Sequence, residues 1–188
     1  MTHSVLADRG HVEPATPAQA NRIISYALLQ TPIGPLQLFS TSRGLVKLAL
    51  PNEPRSTAEA YIRRLFGAVT IREDEAAHKQ ALAELAAYFA GAGRSFSAPL
   101  DPRGTPFQRL VWDAVAAVPY GETRSYGAIA RAIGRPAAPR AVGAANGANP
   151  LPIIIPCHRL IGANGDLIKY GGGIDIKRRL LALEQGSA

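Results

Sequence analysis

One cysteine, one methionine and one tryptophan are all that the 188 residues hold of those types, and acidic residues are few beside basic ones. Each shortage excludes something. A lone thiol, Cys157, forms no internal disulfide, which suits a reducing compartment. It also excludes a cysteine-built zinc site, because the other ligands would have to come from His3, His11, His78 and His158, whose spacing matches no ligand pattern. No metal and no cofactor are expected. No apolar run reaches the ~18 residues of a membrane span. The opening "MTHSVLADRGHVEPATPAQAN" lacks the apolar stretch of a signal peptide, so a polar, poorly ordered lead-in is expected over 1–20, and a cytoplasmic location with it.

The 14 Asp and Glu against 21 Lys and Arg leave a formal charge of +7. The excess is uneven: residues 101–188 carry 11 basic and 6 acidic side chains, residues 1–100 carry 10 and 8. A basic balance favours a polyanionic partner, but proteins of this charge that bind none keep the opposite reading open.

What is present reads as two parts, with a scaffold expected over 21–98 and a second domain over 99–188. In "RIISYALLQTPIGPLQLFSTSRGLVKLAL", apolar runs broken by Thr31–Pro35 and Ser42–Gly44 predict three short antiparallel strands. Ser56 and Glu59 have capping-box spacing before a short helix through Tyr61, Ile62 and Leu65. A second helix is expected over about 74–90, with Leu82, Leu85 and Phe89 inward. Nothing in this part looks like a site. After the Gly/Ser/Pro-rich "GAGRSFSAPLDPRGTP", Thr105 and Pro106 can open a helix whose inward stripe is Phe107, Leu110, Val111, Val115 and Val118. Ser125 can cap a helix over 126–133. "GRP" breaks it, and another helix runs from about 138 to 146, making a helix-turn-helix pattern.

The second helix of that pair, "APRAVGAANGAN", exposes mostly Ala and Gly, with Arg140 its one long side chain. A helix that reads the major groove presents several Arg, Asn or Gln side chains. This one suits close approach to a minor groove with a single protruding arginine. Tight helix packing is the commoner explanation of such small residues and is preferred at this point.

The only thiol stands in "PIIIPCHRL". The preceding "LPIII" predicts a buried strand stopped by Pro156, with Cys157 at its mouth. A thiol attacks as thiolate, and an unperturbed pKa near ~8.5 leaves only a few per cent ionised at neutral pH. An imidazole can take the proton, and a carboxylate on the other ring nitrogen would orient it. His158 is adjacent, with a bridging water allowed, and Glu184 on "DIKRRLLALEQ" is the nearest downstream candidate. A buried, inert cysteine is the alternative.

The segments "RGTPFQRLVWDAV", "PYGETRSYGAIA", "RAVGAANGANP", "IPCHRLIG", "YGGG" and "KRRLLALE" occur in an order and spacing that closely resemble the O6-alkylguanine-DNA alkyltransferases, which reverse DNA alkylation directly. The resemblance spans about 105–184. It implies an α/β fold: an N-terminal, ribonuclease H-like antiparallel sheet with helices, then a mainly helical, winged-helix-like domain with the helix-turn-helix. It implies irreversible, single-turnover transfer of an alkyl group, chiefly methyl, from O6 of guanine, and from O4 of thymine, to Cys157 after nucleotide flipping. His158 would be the water-mediated base, Glu184 its orienting carboxylate, and Asn149 a brace behind the site. Tyr170 would donate to N3 of the base, the Gly171 amide to O6, and the carbonyls of Cys157 and Leu160 would accept from the exocyclic amine. Pro152 would wall the alkyl group.

By the same resemblance Tyr126 would rotate the nucleotide out, Arg140 would fill the space it leaves, and Gly127, Arg135, Phe107 and Ala163 would face DNA. The implied partner is double-stranded DNA bearing O6-alkylguanine, bound through the minor groove, with no membrane partner; the protein would act as a monomer, with cooperativity along DNA left open. Relatives often carry small residues where Ile168 and Lys169 stand, so Ile168 is expected to narrow the alkyl side of the pocket. Arg179 stands where relatives often have tryptophan, and the extra cysteines of a zinc site known in some relatives are missing. Two rivals are a non-enzymatic alkyltransferase-like lesion binder, which would lack the reactive cysteine, and a helix-turn-helix transcription regulator, which would need more base-reading side chains around Arg140.

Overall fold

The computed structural model describes residues 22–186; the lead-in expected over 1–20 lies outside them. Strands β1 (Arg22–Leu29), β2 (Leu36–Thr41) and β3 (Gly44–Ala49) form the expected antiparallel meander. A fourth strand, β4 (Val69–Glu73), pairs parallel to β1, so the sheet is mixed, in the order β3-β2-β1-β4. "VTIRE" is short and largely exposed, which gave its sequence no apolar stripe to betray it.

Each face of the sheet takes one helix. Helix α1 (Arg55–Phe66) packs Ala58, Ile62 and Phe66 on Ile24, Tyr26, Phe39 and Val46. The expected Ser56–Glu59 capping box does not form. Pro54 caps the helix instead, and Arg55 Nε donates to the Glu59 carboxylate at 2.8 Å. An ion pair one turn away outbids the weaker reach back to the backbone. A 3₁₀ turn (Ala76–His78) leads into α2 (Lys79–Phe89), which buries Ala81, Leu85 and Tyr88 against the other face. Leu82 and Phe89, expected to point inward, are half-buried at its flanks.

The connection to the second half is fastened to β3. Leu45 N donates to the Pro99 carbonyl and Asp101 N to the Leu45 carbonyl, each at 2.8 Å. Gly44 allows this: its φ is +142°, and a Cβ there would stand 2.4 Å from the Pro99 oxygen.

Helix α3 (Pro106–Ala116) opens on a complete capping box between Thr105 and Gln108. Its buried residues are Val111, Trp112 and Val115, whereas Leu110 is 44 % exposed. The stripe is turned from the expected one because the Trp112 indole reaches the Ala145 carbonyl at 2.8 Å. Strand β5 (Arg124–Ser125) pairs with β6 (Leu160–Ile161). Ser125 caps α4 (Tyr126–Ala132), accepting from Ala128 N at 3.1 Å. Then come α5 (Pro139–Gly147) and α6 (Ile174–Glu184).

The apolar run after Pro150 is not a strand. Ile155 N returns to the Leu151 carbonyl at 2.8 Å, and Ile153 has φ +74°, rare for a β-branched residue. Continuous apolar sequence specified burial; the prolines and the Asn149 side chain specified a turn. One core joins both halves, running from Leu38, Leu48 and Leu85 to Val111, Leu151, Leu160 and Leu180. Among the described residues, no helix is long and apolar enough to cross a membrane.

Candidate active site

Cys157 opens a 3₁₀ turn (Cys157–Arg159) directly after Pro156, with its own N–H donated to the Ile155 carbonyl. It is 6 % exposed, and it lines a cavity of about 360 Å³ between the two halves. Asn149, Pro152, Tyr170 and Gly171 line the cavity from the C-terminal half; Leu50 and Pro54 are among those that line it from the N-terminal half. The volume lies in the range of small-molecule sites.

Behind the thiol is a buried acid–base pair. His158 is wholly buried, and its Nε2 lies 2.7 Å from Glu184 Oε1. Glu184 also accepts from Tyr88 Oη at 2.8 Å, Arg159 Nε at 2.8 Å and Gly121 N at 3.1 Å. Burial alone would raise the Glu184 pKa, but the bonds from His158 and Arg159 overcome it and hold the carboxyl at about 2. A carboxylate only accepts, so Nε2 carries the imidazole proton and Nδ1 presents its lone pair. Nδ1 is buried without a hydrogen-bond partner. Burial lowers the His158 pKa against the pull of Glu184, which favours the neutral ring.

Burial likewise pushes the Cys157 thiol up, opposed by the Asn149 and Tyr170 side chains and by the charge of Lys177. The Tyr170 hydroxyl is buried, has no partner of normal hydrogen-bond geometry, and is held protonated by its burial and by the neighbouring sulfur. Asn149 ties the segment together: Nδ2 donates to the Ile155 carbonyl at 2.8 Å and Oδ1 accepts from Leu151 N at 2.9 Å.

The structure thus gathers Cys157, Asn149, Pro152, Tyr170 and Gly171 around one cavity, with His158 and Glu184 behind it. The two carbonyls expected to meet an exocyclic amine already have donors: Asn146 Nδ2 on Cys157 at 3.3 Å and Lys177 Nζ on Leu160 at 2.5 Å. Ile168 does not line the cavity. It is exposed, with its side chain against Gly162, and Lys169 takes a place in the lining instead. Tyr126 and Gly127 begin α4, and the Tyr126 ring lies against Gly143 of α5. Arg140 is exposed in the first turn of α5, Arg135 and Ala163 are exposed in turns, and Phe107 is half-buried near the start of α3.

Sequence reasoning passed over Tyr88, Asn52, Asn146, Arg159 and Lys177. Asn52 Nδ2 donates to the Gly171 carbonyl at 2.8 Å across the cavity mouth. Arg159 was visible in "PCHR", and its guanidinium was the one available signal of a further charge partner for Glu184. Asn52 and Tyr88 lie too far along the chain for spacing to reveal, and Asn146 and Lys177, though inside quoted segments, carry no motif that marks them.

Two family models cover the chain: 6-O-methylguanine DNA methyltransferase, ribonuclease-like domain, over residues 24–102, and the DNA binding domain of the same name over 106–186. The methylated-DNA–protein-cysteine methyltransferase of Methanosarcina acetivorans is 45 % identical over 161 residues, covering 85 % of this chain and 97 % of that one. The Mycobacterium tuberculosis protein of the same name is 46 % identical over 166 residues, covering 88 % and 95 %. The crystal structure of Mycobacterium tuberculosis OGT in complex with DNA superposes with a TM-score of 0.77 at 47 % identity, over 87 % of this chain and 94 % of that one.

Proposed function

The chain belongs to the 6-O-methylguanine DNA methyltransferase family, and from that premise we propose that it repairs DNA by moving a methyl group from O6 of guanine onto Cys157, once per molecule. The observation that carries this is the arrangement at the sulfur: one thiol in a cavity of about 360 Å³, backed by a buried imidazole whose outer nitrogen is fixed by Glu184.

His158 Nδ1 takes the thiol proton through a bridging water. The proton leaves a charge on the ring that Glu184 Oε1, 2.7 Å from Nε2, is positioned to balance. The thiolate attacks the alkyl carbon, so an S–C bond forms as the C–O6 bond breaks. The electron pair moves into the purine, which gains a proton at N3 from the Tyr170 hydroxyl; the proton stored on His158 makes good that loss. The thiol proton therefore ends on guanine. The product is a thioether, a poor leaving group, and the chain has no second thiol to resolve it. O4-methylthymine offers the same bond and is a second substrate.

O6 of a paired guanine is out of reach of a buried sulfur, so the nucleotide is extruded into the cavity at a cost of about a few kcal/mol. Tyr126 crowds the backbone and Arg140 fills the vacated place in the stack, while α5, with its small residues, lies in the minor groove as the protein binds as a monomer. Gly127, Arg135, Phe107 and Ala163 complete the DNA face. That face reads little sequence, as a surveyor of lesions requires.

The test is intact mass after incubation with a duplex oligonucleotide holding one O6-methylguanine. The expected result is one added methyl, absent in Cys157→Ser. Unchanged mass with retained binding of the lesion would replace this reading with that of a non-enzymatic lesion binder.

A further inference from the structure

The cavity before Cys157 holds one charge without a counterpart. Three charged residues line it: Lys47, Glu53 and Lys169. Lys47 Nζ meets Glu53 Oε2 at 2.8 Å and lies over the Tyr61 ring, so that pair is neutral within itself. Lys169 is exposed, and among the described residues no carboxylate stands within ion-pair distance of it. The loop around it decides its place in the lining. The Ile168 side chain is turned against Gly162, where a Cβ would stand 2.8 Å from Ile168 Cδ1, and the Ile168 carbonyl accepts from Lys177 Nζ at 3.2 Å. With Ile168 held away from the cavity on both counts, Lys169, Tyr170 and Gly171 are what this loop contributes to it, together with Pro152 and Cys157.

A methyl group offers an ammonium nothing to bind. An alkyl group that ends in a carboxylate does, and its chemistry calls for a cation: a carboxylate one bond from the attacked carbon repels the incoming thiolate, and a positive charge on the cavity wall offsets that repulsion. We propose that Lys169 is a specificity-determining residue that admits anionic O6 substituents, of which carboxymethyl is the smallest. The inference deepens the proposed methyl transfer and rests on it. The Cys157 sulfur bonds the methylene carbon as the bond from that carbon to O6 breaks. The electron pair enters the purine, which takes its proton at N3 as it does for methyl, and the products are S-carboxymethylcysteine and guanine. The carboxylate itself is unchanged, and at neutral pH it is the ionised form that Lys169 meets.

Duplex oligonucleotides carry a single O6-carboxymethylguanine or its neutral counterpart of nearly the same shape, O6-(carbamoylmethyl)guanine. Each is reacted with the native protein, Lys169→Gln and Lys169→Arg, and uptake of the group is timed by intact mass. The quantity read is the ratio of the two rates within each protein, so any general effect of a substitution on DNA binding or transfer cancels. Lys169→Gln should lower that ratio about fivefold, the upper end for a partly exposed ion pair, and Lys169→Arg should keep it within about twofold of the native value. Equal ratios in the native and Lys169→Gln proteins overturn the proposal; that is also the outcome if Lys169 meets a DNA phosphate, since its loss then slows both substrates alike. O6-methylguanine duplex is run beside them. Methyl uptake with equal ratios removes this inference alone, whereas no uptake of any group by the native protein removes the methyl transfer beneath it.

Discussion

The two halves of this molecule differ in what they hold and in how they act. The C-terminal half carries the thiol, the imidazole, the carboxylate and the helices proposed to meet DNA. The N-terminal half has no thiol, yet Tyr88 donates to Glu184, Asn52 donates to the Gly171 carbonyl, and Leu48 N donates to the Pro150 carbonyl. One half performs chemistry through groups near each other in sequence. The other supports it through single contacts that only folding creates. The expectation that the first part holds nothing of a site therefore fails: it supplies one wall of the cavity and a donor to its buried acid.

That division can be strained from both sides. Glu184→Ala should have the largest effect, because it leaves Arg159 buried without its partner; about 3–5 kcal/mol of stability should be lost in urea unfolding, and methyl transfer with it. The pH dependence tests the same group. Glu184 is held near 2 in the fold against an ordinary 4.5, so its contribution is complete above about 4.5 and disappears as pH falls toward 2. An earlier loss comes from both halves: His78 and His158 have pKa values lowered by burial from 6.5, so the unfolded chain binds their protons first and stability declines as pH drops below about 6.5. Urea midpoints followed from about pH 8 down to about pH 3 should show the first stage and the onset of the second, and Glu184→Gln should shrink the second, to which Asp74 and Glu84, also lowered, still contribute.

Arg140→Ala should slow repair in duplex DNA about tenfold or more, since part of the extrusion cost loses its compensation, yet leave reaction with free O6-methylguanine base unchanged. Equal slowing of both would remove Arg140 from the DNA face. Tyr88→Phe crosses the divide. Losing one donor to Glu184 should lower stability by about 1 kcal/mol and slow methyl transfer measurably. If it does neither, the N-terminal half is a bystander at the acid. Asn52→Ala should be smallest: within about 0.5 kcal/mol in stability, with weaker reaction toward the free base as Gly171 loses its tether.

Local features of the fold were readable before any coordinates. Thr105 and Ser125 cap the helices expected of them, because a cap is decided within four residues. The Ser56–Glu59 box has equally good spacing and fails, because Arg55 competes for the same carboxylate. "LPIII" was read correctly as buried and wrongly as extended, since hydrophobicity reports where a segment goes and not its dihedral angles. At the site, Cys157 and His158 stood out as neighbours in "PCHR" and Glu184 as the nearest downstream carboxylate, and folding brings His158 and Glu184 together across 26 residues.

By itself, the order of residues determined that there is one reactive sulfur, that an imidazole follows it, that the second half is the more basic, and where most helices begin; these depend on identity or on neighbours within a turn or two. Tertiary structure alone decided that an exposed isoleucine leaves the pocket to Lys169, that a tyrosine 96 residues upstream reaches Glu184, and that a lysine is sealed against the carbonyls of Leu160 and Ile168. Such facts arise from close packing between distant segments, where a fraction of a helical turn decides which side chain a buried charge will meet.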